Sequence, residues 1–311
     1  MFGKRSDGWL IKHDDPFIAL TPYFMPMRCD AQVMLRLEAD YEKLARYIVQ
    51  KGTEGYKISF MELLIAAYVR CVAELPEVNR FISNRRMYAR KYISVSFVVL
   101  QNTQDGSIKE NSVKLRFDPH DTIFDVSARV EKGIAYSRQE EAKNSTMSIA
   151  RLITAPLCAR TVVGLASFLD RLGLLPKSII EASPFHTGLF ITNMASIGMP
   201  QVYHHIYNFG TTSTFISIGA NEKKIELDRE GKPFRKRVMP IGIVADERVC
   251  AGMVYSKMMG IVQRYLNNPE LLELPPENVV YDQSHAYTVP KVKVKKHRIK
   301  RFLRVFYRGK N

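Results

Sequence analysis

Apolar residues recur along this 311-residue chain with two different spacings, which predict a protein that mixes strands and helices. Residues 31–38 (AQVMLRLE) alternate between apolar and polar types, as a strand with one buried face does. Residues 92–100 (YISVSFVVL) are rich in β-branched and aromatic types, which is typical of a buried strand. Further strands are predicted at Phe81-Ile82, Leu189–Asn193, Thr214–Gly219 and Val238–Ala245.

Helical spacing of apolar residues, together with capping residues, predicts four helices. Asp40 can cap a helix over residues 41–50, and Ser59 can cap a longer one over residues 60–75. The other two helices are predicted over residues 122–140 and 253–266. By contrast, residues 17–26 are expected to be irregular, and residues 228–236 are expected to form a polar turn that joins the last two strands as a hairpin.

Residues 147–180 are strongly apolar but are interrupted by Pro156, Gly164, Gly173 and Pro176. We therefore expect two or three short helices there, forming part of the core or a cover over it. A wall for an apolar substrate and a membrane-facing flap are the alternatives. The breaks and the arginines within the segment argue against a membrane-spanning helix.

Composition and motifs narrow the possible chemistry. The four cysteines are scattered and form no CxxC pair, which favours reduced thiols in a cytoplasmic protein and no metal site. The charged N-terminus lacks the pattern of a secretory signal. The sequence contains none of the motifs GxGxxG, Walker A, HExxH or GxSxG.

Four segments nevertheless carry a resemblance to a known family. They are KISFMELLIAAYVRCVAELPEVNRFI at 57–82, LFITNMASIG at 189–198, FISIGANEKKI at 215–225, and VMPIGIVADERVCAG with the following helix and NPELL at 238–272. Their order and spacing resemble the catalytic core of the dihydrolipoamide acyltransferases of 2-oxo acid dehydrogenase complexes, which share their fold with chloramphenicol acetyltransferase. The segment at 147–180 has no counterpart in those cores.

The resemblance implies an α/β fold, a two-layer sandwich of a mixed sheet with helices. It places an acyltransferase-like domain at residues 1–282, with an apolar helical insertion at about 147–180, and leaves residues 283–311 as a basic amphipathic C-terminal tail. It also implies a homotrimer with the active site between subunits, coenzyme A or acyl-coenzyme A as a possible ligand, and an acyl carrier as a possible partner.

The chain departs from the family at the active-site motif, Asp-His-Arg-x-x-Asp-Gly, which here spans residues 246–252. Asp246, Arg248 and Gly252 are retained, whereas Glu247 stands at the position of the family's catalytic His and Ala251 at that of its Asp. The family His is the general base that takes the proton of the attacking thiol or hydroxyl. A positioned base contributes about 10²–10⁴ in rate, and a carboxylate is a poor base at neutral pH unless burial raises its pKa.

Other residues leave alternatives open. Thr192 aligns with the family hydroxyl that donates a hydrogen bond to the tetrahedral intermediate, although a structural role in its strand is the simpler interpretation. The pair His204-His205 could supply a base from another direction or be a surface feature. Cys250 could be a nucleophile, but it has no obvious partner in the sequence.

The last 21 residues (291–311) carry ten of the basic residues and no acidic one, so they hold most of the net charge of +15. Apolar residues at i, i+3, i+4 and i+7 would form one face of a helix there. A solvated tail, a helix on an anionic membrane surface, and contact with nucleic acid or an acidic protein are the three interpretations, nucleic acid being less favoured than the membrane. The basic residues expected to contact an anionic surface are Lys293, Lys295, Lys296, Arg298, Lys300, Arg301, Arg304 and Arg308.

Three functional hypotheses follow. The leading one is a degenerate acyltransferase that keeps the fold and acts by binding or scaffolding. The alternative is an active coenzyme A-dependent acyltransferase in which Glu247 is the base and Thr192 the oxyanion donor. The third is a protein that contacts a membrane surface or nucleic acid through its basic tail, which would place it in the cytoplasm, at the inner membrane surface.

Overall fold

The computed structural model describes residues 4–12, 15–102, 108–138 and 156–289. Its α-helices are α1 (Pro16–Phe24), α2 (Tyr41–Thr53), α3 (Phe60–Glu74), α4 (Ile123–Arg138), α5 (Pro156–Leu172), α6 (Lys177–Ala182) and α7 (Gly252–Asn267). Its strands are β1 (Gly8–Leu10), β2 (Gln32–Asp40), β3 (Arg80–Ser83), β4 (Arg86–Arg90), β5 (Ile93–Asn102), β6 (Ile108–Phe117), β7 (Leu189–Asn193), β8 (Thr214–Ile218), β9 (Glu222–Leu227) and β10 (Pro233–Asp246).

A seven-stranded mixed sheet forms the centre of the molecule, with the strand order β2-β10-β8-β7-β5-β6 and β9 paired to the outer part of β10. Strand β7 runs parallel to both β5 and β8, and the other pairs in this sheet are antiparallel. Strands β1, β4 and β3 form a second, small antiparallel sheet. The mixed α/β sandwich that the family resemblance implied is confirmed.

The main core lies between one face of the large sheet and helices α2, α3, α4 and α7. Helix α3 is buried along almost its whole length, which explains its nearly continuous apolar sequence. Its start is fixed by a reciprocal capping box, because the Ser59 hydroxyl accepts from the Glu62 N–H and the Glu62 carboxylate accepts from the Ser59 N–H. Asp40 caps α2 in the same way that the sequence predicts, accepting from the Lys43 N–H at 2.9 Å.

On the opposite face of the sheet an extended segment, residues 199–210, covers β7, β8 and β10, and α6 lies beside β6, where Lys114 donates to the Ile180 carbonyl at 2.8 Å. Phe190, Phe215 and Val244 form a small apolar cluster there with Ile206 of this segment. Two glycines allow the close approach: a Cβ added to Gly219 would lie 2.2 Å from the Gln201 nitrogen, and one added to Gly242 would lie 2.5 Å from the Val202 oxygen. The segment therefore rests directly on the backbone of the sheet.

Most of the predicted elements are confirmed, including the strands at residues 189–193 and 214–218 and the four helices. In the apolar segment, the described part holds α5 and α6, separated near Gly173 and Pro176 as expected. Gly164, however, lies inside α5 and does not interrupt it. Residues 147–155 and 290–311, which include Lys293 to Arg308, lie outside the described residues, and the interpretations of the basic tail stay predictions.

Two further expectations are wrong. Residues 17–26 are not irregular, because Asp15 accepts from the Phe17 N–H and caps α1, with Pro16 in its first turn. Residues 228–236 do not join the last two predicted strands directly, because β9 intervenes and forms the hairpin with β10. Strand β9 (EKKIEL) escapes a search for apolar alternation because four of its six residues are charged and its two apolar residues are exposed. Within the described residues, no helix is long and apolar enough to cross a membrane.

Replacing Gly242 by Ala tests how tightly the segment 199–210 is held. The new methyl group would collide with the Val202 carbonyl, so we expect a loss of about 1–3 kcal/mol in the free energy of unfolding, measured by urea denaturation. The matched control is Gly260→Ala in α7, where nothing lies within 4 Å of the added Cβ and a gain of about 0.5–1 kcal/mol is expected. Equal stability of the two variants would contradict the packing described.

Candidate functional site

The loop between β10 and α7 is anchored by a buried carboxylate between two guanidinium groups. Arg248 donates to Asp246 from Nε at 2.8 Å and from Nη2 at 2.7 Å. The Arg28 Nε lies 3.4 Å from the Asp246 Oδ2 atom. All three side chains are buried, and buried charges are tolerated only when they are paired and hydrogen-bonded.

The two arginines also hold the surrounding segments. Arg248 donates from Nη1 to the carbonyls of Met25, at 2.9 Å, and Pro26, just after α1. Arg28 donates to the Tyr207 carbonyl at 2.8 Å and to the Ile82 carbonyl at 3.2 Å. One carboxylate thus links the loop, the end of α1, the segment 199–210 and strand β3.

Glu247, next to this anchor, is positioned through its backbone only. Its N–H donates to the Ala31 carbonyl at 2.9 Å, which continues the pairing of β10 with β2. Its side chain is exposed and forms no hydrogen bond or ion pair with another described residue. A carboxylate held in this way is free to rotate, unlike a general base oriented by a second group.

Glu247 lines a cavity of about 620 Å³ between α1, β2 and the start of α7. This volume lies within the range of small-molecule pockets, roughly 300–1,000 Å³. Apolar side chains make up most of the lining, namely Phe17, Ile18, Met25, Val33, Leu35, Cys250, Ala251, Tyr255 and Met259. Ala251 occupies the N-cap position of α7 without a side-chain hydrogen bond, so the start of this helix has no polar cap.

Thr192, the candidate oxyanion donor, lies far from Glu247 within one chain. In the strand register Thr192 is opposite Ser217, and Ser217 is opposite Gly242. Glu247 lies five residues further along and two strands across, which corresponds to about 20 Å at strand spacings of about 3.3 Å per residue and 4.8 Å between strands. One chain therefore does not bring the two candidate residues together.

No histidine is among the described residues that line the Glu247 cavity. His204 and His205 lie on the other face of the sheet, where the His204 ring stacks on Phe215 at 4.2 Å and the His205 ring stacks on His204 at 4.6 Å. His186 is fully buried, with its Nε2 3.3 Å from an Asp170 carboxylate oxygen, and burial lowers its pKa. These histidines have packing roles in the part of the chain that the structure describes.

Cys250 lines the cavity but is buried, and burial raises the pKa of its thiol to about 12. A protonated thiol is a weak nucleophile, so the geometry argues against the nucleophile hypothesis. Cys29, Cys71 and Cys250 are free thiols. Across the described ranges, no group of three or more His, Cys, Asp or Glu side chains could hold a metal ion.

Sequence reasoning missed two parts of this site. The first is α1, which forms one wall of the cavity and could have been found from Asp15 followed by Pro16, a start signal for a helix. The second is Arg28, which pairs with Asp246. The two residues lie more than 200 positions apart, so the local sequence does not indicate this contact.

Removing the anchor should destabilise the whole protein. In Asp246→Ala, two buried guanidiniums lose their carboxylate, so we expect a loss of about 3–5 kcal/mol in the free energy of unfolding, measured by chemical denaturation. As the control, Glu230→Ala removes the exposed pair with Lys232 at 2.7 Å and should change stability by less than about 1 kcal/mol. If the two variants unfold alike, the anchor does not have the structural role assigned to it.

Comparison of the sequence with protein-family models and with curated proteins finds no match. Solved structures do match. Dihydrolipoamide acetyltransferase from Azotobacter vinelandii has a TM-score of 0.54 at 14% identity, covering 85% of this chain and 94% of that chain. A truncated catalytic core of the 2-oxoacid dehydrogenase multienzyme complex from Thermoplasma acidophilum has a TM-score of 0.51 at 16% identity, covering 84% and 98%.

Chloramphenicol acetyltransferase matches with a TM-score of 0.50 at 13% identity, covering 83% of this chain and 99% of that chain. At these identities the likeness concerns the fold. The chain therefore has the fold shared by chloramphenicol acetyltransferase and the dihydrolipoamide acetyltransferase catalytic cores, as the four sequence segments indicated.

Proposed function

We propose that this chain is a degenerate acyltransferase that binds an acyl-thioester ligand beside Glu247 and acts by binding or scaffolding rather than by acyl transfer. The main support is the residue at the position of the family's catalytic His, which is Glu247. An exposed carboxylate stands there, no described side chain orients it, and Ala251 contributes only a methyl group.

Acyl transfer needs a general base from the protein. A proton must leave the attacking thiol or hydroxyl as the new bond forms, and imidazole suits this task near pH 7 better than an ordinary carboxylate does. The cavity supplies neither an imidazole nor a second group to hold the carboxylate. Binding of a ligand does not need the base, because an apolar cavity of this size can bury an acyl chain.

The cavity fits the acyl and thioester end of coenzyme A or of an acyl carrier, and it does not fit the nucleotide end. Its charged lining residues are Glu247 and Arg248, and the guanidinium of Arg248 is engaged by Asp246 and two backbone carbonyls. A phosphate group would find no free cation there among the described residues. When bound, the ligand would supply the activated thioester, and the residues of this chain would orient it and exclude water.

An active acyltransferase is the second candidate, because Glu247 does line the cavity in which an acyl group would lie. In this version Glu247 would take the proton and Thr192 would donate a hydrogen bond to the oxyanion. Since the two residues lie about 20 Å apart in one chain, they can act together only if Thr192 comes from a neighbouring subunit.

The active version needs Thr192 from a neighbouring subunit, and a homotrimer is the proposed assembly for both versions. One solved structure with a TM-score of 0.52 is the cubic core of the pyruvate dehydrogenase multienzyme complex. We expect sedimentation velocity to give a mass three times that of the 35.7 kDa chain. A monomer at micromolar concentration would rule out the active version, because one chain alone does not bring Glu247 and Thr192 together.

Ligand binding is expected to stabilise the protein. Acyl-coenzyme A at about 100 times its dissociation constant should raise the free energy of unfolding by about 2.7 kcal/mol, seen as a higher melting temperature. Ser256→Trp should abolish this shift, because Ser256 lines the cavity, whereas Lys257→Trp, one position along the same exposed stretch of α7, should keep it. An identical shift in both variants would place the ligand elsewhere.

The rate of acetyl transfer distinguishes the degenerate protein from an active acyltransferase. With acetyl-coenzyme A and either dihydrolipoamide or an alcohol acceptor, the degenerate protein should transfer no acetyl groups above the uncatalysed rate. An active enzyme should do so, and Glu247→Gln should then lower its rate by about 10²–10⁴, while the exposed control Glu230→Gln leaves it unchanged. Ordinary enzymatic rates in the wild-type protein would overturn the leading proposal.

A further inference from the structure

A second cavity, of about 730 Å³, opens between the end of α1, the turn that joins β3 to β4, and the C-terminal half of α5. It shares only Arg248 with the lining of the Glu247 cavity. Its lining is mostly polar, in contrast to the apolar Glu247 cavity. The acyltransferase proposal makes no use of this second cavity.

Positive charge exceeds negative charge around the second cavity. Four arginines line it, namely Arg28, Arg85, Arg171 and Arg248, against the single carboxylate of Asp170. That carboxylate is already engaged, because Arg5 donates to its Oδ1 atom at 2.7 Å and the His186 Nε2 lies 3.3 Å from the same oxygen. These contacts keep the pKa of Asp170 at about 2 although its burial alone would raise it.

The buried arginines of the lining are paired with a carboxylate, whereas the exposed arginines at the mouth of the cavity are not, in the part of the chain that the structure describes. Arg28 and Arg248 share the charge of Asp246. Arg85 and Arg171, by contrast, are exposed and form no ion pair within the described residues. Two guanidiniums at the mouth of one cavity repel each other, and an anion placed between them would relieve that repulsion.

The rim arginine of the turn is held in place. Asn84 and Arg85 have φ angles of 48° and 59°, the left-handed conformation of a two-residue hairpin turn between Ser83 and Arg86. Residues other than glycine adopt this conformation at some cost, and such positions occur often at binding sites. The Arg85 guanidinium also lies over the Tyr23 ring, 5.4 Å from its centre, which links the turn to α1.

Asn208 adds an uncharged hydrogen-bond donor to the two exposed arginines, Arg85 and Arg171. The Asn208 side chain lines the cavity and accepts the N–H of Arg28 at 2.8 Å through its oxygen, so its NH₂ group is oriented by that bond. The acceptors near this NH₂ group are the sulfur atoms of Cys29, at 3.3 Å, and Met27, at 4.0 Å, and sulfur is a weak acceptor. An anion in the cavity would be the stronger partner.

We propose that this second cavity is a binding site for a phosphate group, with Arg85 and Arg171 as its principal ligands and Asn208 as a neutral donor. Arginine presents a planar fork of N–H groups that matches phosphate oxygens. The phosphate can belong to a soluble phosphate ester or to the headgroup of an anionic lipid. Two exposed aromatic residues lie close to the cavity lining in the sequence: Phe24 of α1 lies two residues before Pro26, and Phe168 of α5 directly follows Ser167.

Calorimetric titration with inorganic pyrophosphate tests the site on the full-length protein. We expect a dissociation constant for pyrophosphate in the millimolar range or lower. In the double variant Arg85→Ala/Arg171→Ala, the affinity should fall by about tenfold or more. Both side chains are exposed, so the variant should fold, which circular dichroism would verify. The control Arg46→Ala/Arg229→Ala removes two exposed arginines elsewhere and should change the affinity by less than about threefold.

Vesicle sedimentation distinguishes the two sources of phosphate. If the ligand is a lipid headgroup, wild type and control should sediment with vesicles of phosphatidic acid and phosphatidylcholine more strongly than the Arg85/Arg171 variant does, and pure phosphatidylcholine should bind none of them. If it is a soluble ester, only the pyrophosphate affinity should depend on Arg85 and Arg171. The basic tail is present in every protein and adds equally. The proposal is overturned if neither measurement depends on these two arginines more than on the control pair.

Discussion

The buried pair of guanidiniums around the Asp246 carboxylate is the interaction on which the geometry of both cavities depends. Arg248 reaches from the loop to the end of α1, and Arg28 reaches to the segment 199–210 and to β3. The Glu247 cavity has α1 as one wall, and the second cavity begins where α1 ends. A single charge cluster therefore determines where both cavities lie relative to the sheet.

The same cluster explains how the loop over residues 246–252 can keep its shape while Glu247 and Ala251 depart from the family motif. Asp246 and Arg248 are buried and satisfy each other, so replacing either would leave a buried charge unpaired. Glu247 and Ala251 are exposed and take part in no such pairing. The residues that hold the loop in shape, Asp246 and Arg248, are therefore different from Glu247 and Ala251, which stand at the family's catalytic positions. Substitution at the latter two positions leaves the fold intact.

Much of the fold could be predicted from the sequence, because its elements carry their own signals. The capping box at Ser59 and the alternation in β2 are local, and the structure has both. Helix α1 was missed because its large apolar residues, Phe17 and Phe24, face solvent at 71% and 67% exposure, so their spacing indicates no buried face. The cluster of Asp246 with Arg28 and the second cavity depend on contacts between distant segments, which local patterns do not encode.

We infer that the Asp246 anchor holds the loop in place and that no imidazole reaches the Glu247 cavity. A crystal structure of the assembled protein with acyl-coenzyme A bound would test both points together, since it would show every subunit around the cavity. We predict that Asp246 will lie between Arg28 and Arg248 and that no histidine nitrogen will lie within about 3.2 Å of the thioester or of the incoming thiol. A histidine reaching that position, from the same chain or from a neighbour, would contradict the account.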